Sequence, residues 1–198
     1  MARPIGVCVR RWLQLIRSVA EMRLTLLCAA LLLPLLAAAA DWQQELNSRI
    51  ALFGHRNWIV VADSAYPAQS GAGVETIVVD AGLLPVLETV LHQLHNARHV
   101  TPIVWRDLEL ASVPENDAPG VMLFRQKLDQ VLGGRSFQAV PHEQIISRLD
   151  QAGKLYRVLI IKTTEAIPYT SVFLQLDCAY WSPAAEARLR QAMSSRVK

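Results

Sequence analysis

The stretch Trp58–Ala62, WIVVA, restricts the possible folds more than any other part of the chain. Its residues are all apolar and mostly branched, with polar Arg56-Asn57 before them and Asp63-Ser64 after. A strand with one wet face would alternate apolar and polar residues. An unbroken apolar run instead predicts a strand covered on both faces, as in an α/β sheet. Ligands of such sheets collect at the carboxyl ends of strands. Asp63 is therefore a candidate for holding a substrate group, and His55, in the turn before the strand, is expected to enter the same neighbourhood. The alternative is a turn histidine and a capping acid without further role.

The remaining chain alternates in the same style. Trp42–Phe53 reads as a helix with Leu46, Ile50 and Phe53 on one face, and Gly54 is placed to close it as the C′ residue. Val74–Val79 is a second strand, and Leu84–Arg98 a helix with Leu87, Val90, Leu91 and Leu94 as its core stripe. Pro102–Trp105 is extended, Ala111–Gly120 a polar loop, and Val121–Leu132 an amphipathic helix ended by Gly133-Gly134. After the short extended Ser136–Val140, Pro141 suits the first turn of a helix. Ile145, Ile146 and Leu149 pack it inward and Gly153 stops it. Leu155–Lys162 is the strongest strand run, followed by the connection Thr163–Thr170 and a further strand, Ser171–Leu176. Ser182-Pro183 resembles an N-cap and first turn for a final helix through Met193. Short connections between alternating elements predict a single α/β domain with a mainly parallel sheet layered by helices. Phosphate-binding glycine motifs, a nucleophile-elbow serine and Cys-x-x-Cys pairs are absent from the sequence.

The amino terminus reads as a separate part. Arg23 precedes the apolar Leu24–Leu36, and Ala37–Ala40 follow before Asp41. A positive start, an apolar stretch and an A-x-A site are the parts of a secretory signal. Residues 1–40 are thus expected to be a leader, starting at Met22 and cleaved between Ala40 and Asp41, which makes the mature protein periplasmic or secreted. An uncleaved anchor is the competing reading, for which the stretch is slightly short. The mature chain divides into a domain over 41–181 and a helical tail over 182–198. The leader also accounts for the formal charge of +3: it holds five arginines and one acid, leaving 15 basic and 16 acidic residues. Neither that balance nor any basic stripe points to nucleic acid. Cys8 and Cys28 lie in the leader, so Cys178 stands alone in the mature chain and no disulfide can form within it.

The helix over Leu84–Arg98 places Glu88, His92, His95 and, just beyond, His99 close together in angle. Such a face could bind a divalent metal. It points away from the apolar stripe, however, and is read here as solvated, so no metal site and no cofactor are expected.

Three stretches together resemble the bacterial ribose pyranase / fucose mutarotase family. They are Gly54-His55 with WIVVA, Asp63 and Pro67; Pro141-His142-Glu143-Gln144; and Thr163 through Ser171. The order and spacing hold over roughly Leu46–Leu176. The resemblance implies an α/β subunit in a ring-shaped homo-oligomer, a decamer in form, with sites near subunit contacts and no metal or organic cofactor. It implies interconversion of anomers or ring forms of an unphosphorylated, fucose- or ribose-like monosaccharide. By motif, His55 matches the catalytic histidine, Asp63 a sugar-binding acid and His142 a substrate-binding histidine. Tyr169, Thr170 and Ser171 match the segment that touches the sugar. Two positions depart from the pattern: Thr164 replaces a small residue and Ser171 an asparagine. Proton transfer at a hemiacetal suits histidine, which can give or take a proton near neutral pH. A non-catalytic sugar-binding or assembly protein with the same fold is the second reading.

Overall fold

The computed structural model describes residues 42–196; the expected leader and its cleavage point lie outside them. All the strands fall in the unit Leu46–Lys198. In chain order the elements are helix α1 (residues 42–52), β1 (Trp58–Ala62), β2 (Val74–Val78), α2 (Leu83–Asn96), β3 (Val100–Asp107) and a 3-10 turn (Leu108–Ala111). There follow α3 (Val121–Leu132), β4 (Phe137–Val140), α4 (His142–Leu155), β5 (Val158–Lys162), β6 (Val172–Cys178) and α5 (Pro183–Arg196). Among the described residues no helix is long and apolar enough to cross a membrane.

The strands form one sheet of order β2-β5-β1-β6-β3-β4. Every neighbouring pair is parallel except the two that β6 makes, with β1 and with β3. The reversal has a simple cause. A parallel return needs a crossover of a dozen or more residues, and only residues 163–171 join β5 to β6. The chain turns back instead and enters between β1 and β3. Residues 169–171 thereby reach the sheet edge where β1 and β3 end, because Val172 is opposite both Val61 and Arg106.

β1 is buried at every position and β5 at four of five, as an apolar run between two helical layers must be. Trp58, Val60 and Ala62 face one layer, where Ile145 and Leu149 of α4 pack with Trp105, Ile160 and Phe173. On the other face α2 covers β1 and β3 and meets α3. Its buried residues Leu83, Val86, Leu87, Val90, Leu91 and Leu94 recur with helical period. Truncating any one of the leucines to alanine should cost about 2–5 kcal/mol.

Three local expectations are corrected. Gly153 does not stop α4, which runs through it to Leu155, so β5 begins at Val158 rather than Leu155. The glycine is there for a close approach: Val74 Cγ2 lies 3.1 Å from where its Cβ would stand, and a Cβ on Gly73 would collide with the Gly153 carbonyl. Gly54 does not take a left-handed conformation after α1; Arg56 does, at φ 72°. The turn is held by Asn57, whose Oδ1 accepts the Gly54 N–H at 2.8 Å. Finally, His99 does not belong to an open histidine face. Its Nε2 lies 3.1 Å and 3.0 Å from the Ile50 and Phe53 carbonyls, which can only accept, so the ring donates and fastens the end of α1. His92 meets Asn96 instead.

Candidate active site

β1, β3 and β4 all end at one edge of the sheet, and β6 starts there. Asp63 follows β1 directly. Its Oδ1 accepts the Ala65 N–H at 2.9 Å, closing a local turn. Its Oδ2 accepts the Ser171 hydroxyl at 2.7 Å, and Ser171 Oγ in turn accepts the Asp63 N–H at 3.1 Å. Ser171 is 2 % exposed and Thr170 fully buried. The Thr170 hydroxyl donates to the Ile167 carbonyl at 2.7 Å. Of the three loop residues matched to sugar contact, only Tyr169 is open to solvent; the other two brace the loop and the acid.

Tyr169 has φ 60°, a left-handed conformation that a bulky residue rarely adopts. That twist sends its ring toward His142, edge to face, with centroids 5.6 Å apart. His142 is the first residue of α4. Pro141 before it supplies no side-chain cap, and the vacant helix N-terminus is served by Glu109, whose two oxygens take the His142 N–H at 3.0 Å and 3.1 Å. The His142 ring places Nδ1 3.1 Å from Oδ1 of Asp107. The ring is partly exposed, whereas the Asp107 side chain is wholly buried.

Burial pushes the Asp107 carboxyl up to about 6, against the pull of His142 and with the push of Glu109 and Asp63. Burial also raises the Tyr66 phenol to about 12, helped by Asp150 and Asp107. Asp63, Asp107 and Glu109 thus lie within electrostatic reach of one another around His142. Asp107 and Glu109 carry no motif, and the sequence reading passed over both. The only available signal was their place at the carboxyl end of the strand run over Pro102–Trp105.

His55 is elsewhere. It occupies an exposed turn before β1, held by the Arg56 N–H on the Leu176 carbonyl at 2.8 Å. Asp63 lies past the other end, and the five-residue strand between them alone spans about 16 Å. The expected shared neighbourhood of His55 and Asp63 is therefore not formed within one chain; a strand that separates two residues also sends them to opposite edges. A cleft of about 970 Å³ does open at the His55 edge, lined by Asn57, the loop 68–74 and the end of α4. Its lining includes Asp150 and Gln69, whose amide N–H donates to the buried Tyr66 hydroxyl at 3.4 Å, but not Asp63, Asp107, His142 or Tyr169. Among the described residues no group of three or more His, Cys, Asp or Glu is arranged to hold a metal.

Residues 42–178, which contain both edges, match the RbsD / FucU transport protein family. The chain belongs to that family. Its relatives in the RbsD / FucU family include the D-ribose pyranase of Geobacillus kaustophilus, 28% identical over 139 residues, covering 70% of this chain and 92% of the relative. The D-ribose pyranase of Symbiobacterium thermophilum is 25% identical over 140 residues, covering 69% and 94%. Among solved structures, Bacillus subtilis RbsD complexed with D-ribose gives a TM-score of 0.47 at 22% identity, over 67% of this chain and 91% of that one. The fucose mutarotase of Streptococcus pneumoniae in complex with L-fucose gives 0.44 at 20% identity, over 66% and 89%.

Proposed function

We propose that the mature protein is an exported monosaccharide mutarotase or pyranase, acting without redox change on an unphosphorylated, fucose- or ribose-like sugar. The observation that carries the reading is the nest at the sheet edge, where Asp63, His142 and Tyr169 converge in a member of a family whose relatives are named D-ribose pyranase. Export follows from the leader read at residues 1–40.

The chemistry is proton transfer alone. A base takes the proton of the anomeric hydroxyl while an acid protonates the ring oxygen. The bond between the anomeric carbon and the ring oxygen breaks, and the open-chain aldehyde forms. Closure on the other face gives the other anomer; closure through a different hydroxyl gives the other ring form. Histidine fits both proton roles near neutral pH, and His55 is assigned the catalytic one. Asp63 and His142 hold sugar hydroxyls, and Tyr169 offers its ring face or phenol. Because His55 and Asp63 lie at opposite ends of β1, the reading requires His55 of a neighbouring copy at each nest. A closed ring of heterologous contacts, a decamer or similar, meets that requirement.

One observation favours the non-catalytic alternative, a sugar-binding or assembly protein. Ser171 is spent on Asp63 and leaves no amide where the family carries asparagine. Magnetisation-exchange NMR over a panel of monosaccharides separates the readings. Accelerated exchange of one sugar's anomers or ring forms is expected from the purified mature protein. Saturable sugar binding with no acceleration for any member would move the protein to the alternative.

A further inference from the structure

Asp107 is the least economical group at the sheet edge. Its carboxyl is fully buried, and while Oδ1 faces His142 Nδ1, Oδ2 is buried with no hydrogen-bond partner among the described residues. A buried acid left half-satisfied is unfavourable. An asparagine or an apolar residue at the end of β3 would serve packing better. The groups around it add to the difficulty rather than relieve it, since Glu109, Asp63 and the phenol of Tyr66 all lie within electrostatic reach. Only His142 compensates. His142 is also held from a second direction, because Glu109 grips its backbone N–H. The backbone of this one histidine is thus fixed by one acid and its ring by another, from the 3-10 turn and from the end of β3 just before it.

We propose that Asp107 is the positioning residue of the site: its carboxylate accepts the Nδ1–H of His142, fixes that tautomer, and leaves Nε2 as the nitrogen that meets the ligand. Resting on the mutarotase reading, the ligand is a sugar hydroxyl, which donates to the Nε2 lone pair. A histidine whose other nitrogen is held by a carboxylate keeps both its orientation and its basicity. Free rotation would offer a sugar N–H and lone pair in turn and specify neither.

The test uses the mature chain with ¹⁵N-labelled histidine and long-range ¹H–¹⁵N correlation, the His142 signals being assigned with His142→Gln. In the wild type the neutral ring of His142 should carry its proton on Nδ1. In Asp107→Asn that preference should be lost. For whichever sugar the wild type exchanges, KM should rise about 10- to 100-fold, as for a lost charge-assisted hydrogen bond, with kcat changed far less. A wild-type ring protonated on Nε2 overturns the proposal, and it does so even if Asp107→Asn does not fold. A folded Asp107→Asn with unchanged tautomer and unchanged KM overturns it too, while leaving the mutarotase reading intact. If the wild type exchanges no sugar but His142 is locked as Nδ1–H and released in Asp107→Asn, the positioning role stands and the functional reading falls.

Discussion

At the carboxyl end of β1, Asp63 has both carboxylate oxygens bonded and sits among Asp107, Glu109, His142 and Tyr169. At the amino end, His55 stands exposed on a turn kept in shape by Asn57 and by the left-handed Arg56. One edge is a crowded polar nest; the other presents His55 on a turn whose Arg56 donates to the Tyr156 hydroxyl at 2.9 Å. Both edges spend a bulky residue at positive φ, Tyr169 at one and Arg56 at the other. Such conformations persist where the surrounding structure imposes them, and they collect at functional positions. The comparison teaches that His55 and Asp63 stand at opposite ends of one strand, so the function proposed above needs a second copy to bring them together.

The most direct way to break that conclusion is to split the halves between chains. His55→Ala should lower sugar exchange about 10²–10⁴-fold, the usual worth of a positioned acid or base, with circular dichroism unchanged because the side chain is exposed. Asp63→Asn should also lose most activity, through binding. Rings assembled from equal parts of the two variants should regain activity at about a quarter of their sites, where an intact His55 meets an intact Asp63 from the neighbour. Mixed rings no more active than either parent would refute a shared site.

A smaller effect sharpens the account of the nest. Ser171→Ala removes the donor to Asp63 Oδ2 and strands the Asp63 N–H. Stability should fall by about 1–3 kcal/mol, and sugar affinity about tenfold as Asp63 loses its fixed rotamer. Urea unfolding and a sugar titration read the two separately. Unchanged affinity would mean that Asp63 orients itself without help. His99→Ala makes the complementary control at the other face. Losing the donor to the Ile50 and Phe53 carbonyls should cost about 1 kcal/mol, with exchange by the remaining folded protein unchanged. Lost exchange restored by zinc would revive the metal reading of that helix.

What was legible in the sequence followed from local pattern. The boundaries of β1 and α3 are as the apolar run and the glycine pair indicate, and Ser182 does cap α5, accepting the Ala185 N–H at 3.1 Å. The failures were tertiary. Gly153 reads as a helix stop, yet it is needed for contact with Gly73 and Val74 across the structure. His55 and Asp63 are near in sequence but separated by an extended strand, which the motif itself conceals. Asp107 and Glu109 became visible only when β4 delivered His142 beside the end of β3, since Val140 is in register with Asp107. Thr170 and Ser171 were matched to sugar contact by position alone, and position does not report burial.

The smallest expected effect tests whether the buried acid of the nest titrates as its surroundings require. Asp107 has an ordinary carboxyl value of 3.8 when unfolded and about 6 when folded, chiefly because burial disfavours its charge. Between those values the folded chain holds a proton that the unfolded chain has released. By linkage, stability then falls as pH rises, since the native state binds the more protons. The contribution is complete below about pH 4 and is lost as pH passes through about 6, the opposite sense from a carboxylate in a surface ion pair. Asp107→Asn cannot ionise, so its stability should lack this decline. Urea unfolding at intervals from pH 4 to pH 7 should give a wild type that loses ground relative to Asp107→Asn, by less than the limit of about 1.4 kcal/mol per pH unit for one proton. The two proteins differ at this one side chain, so the difference between the two curves reports Asp107 and its coupling to its neighbours. Parallel curves would mean that Asp107 titrates alike folded and unfolded, with His142 offsetting the cost of burial.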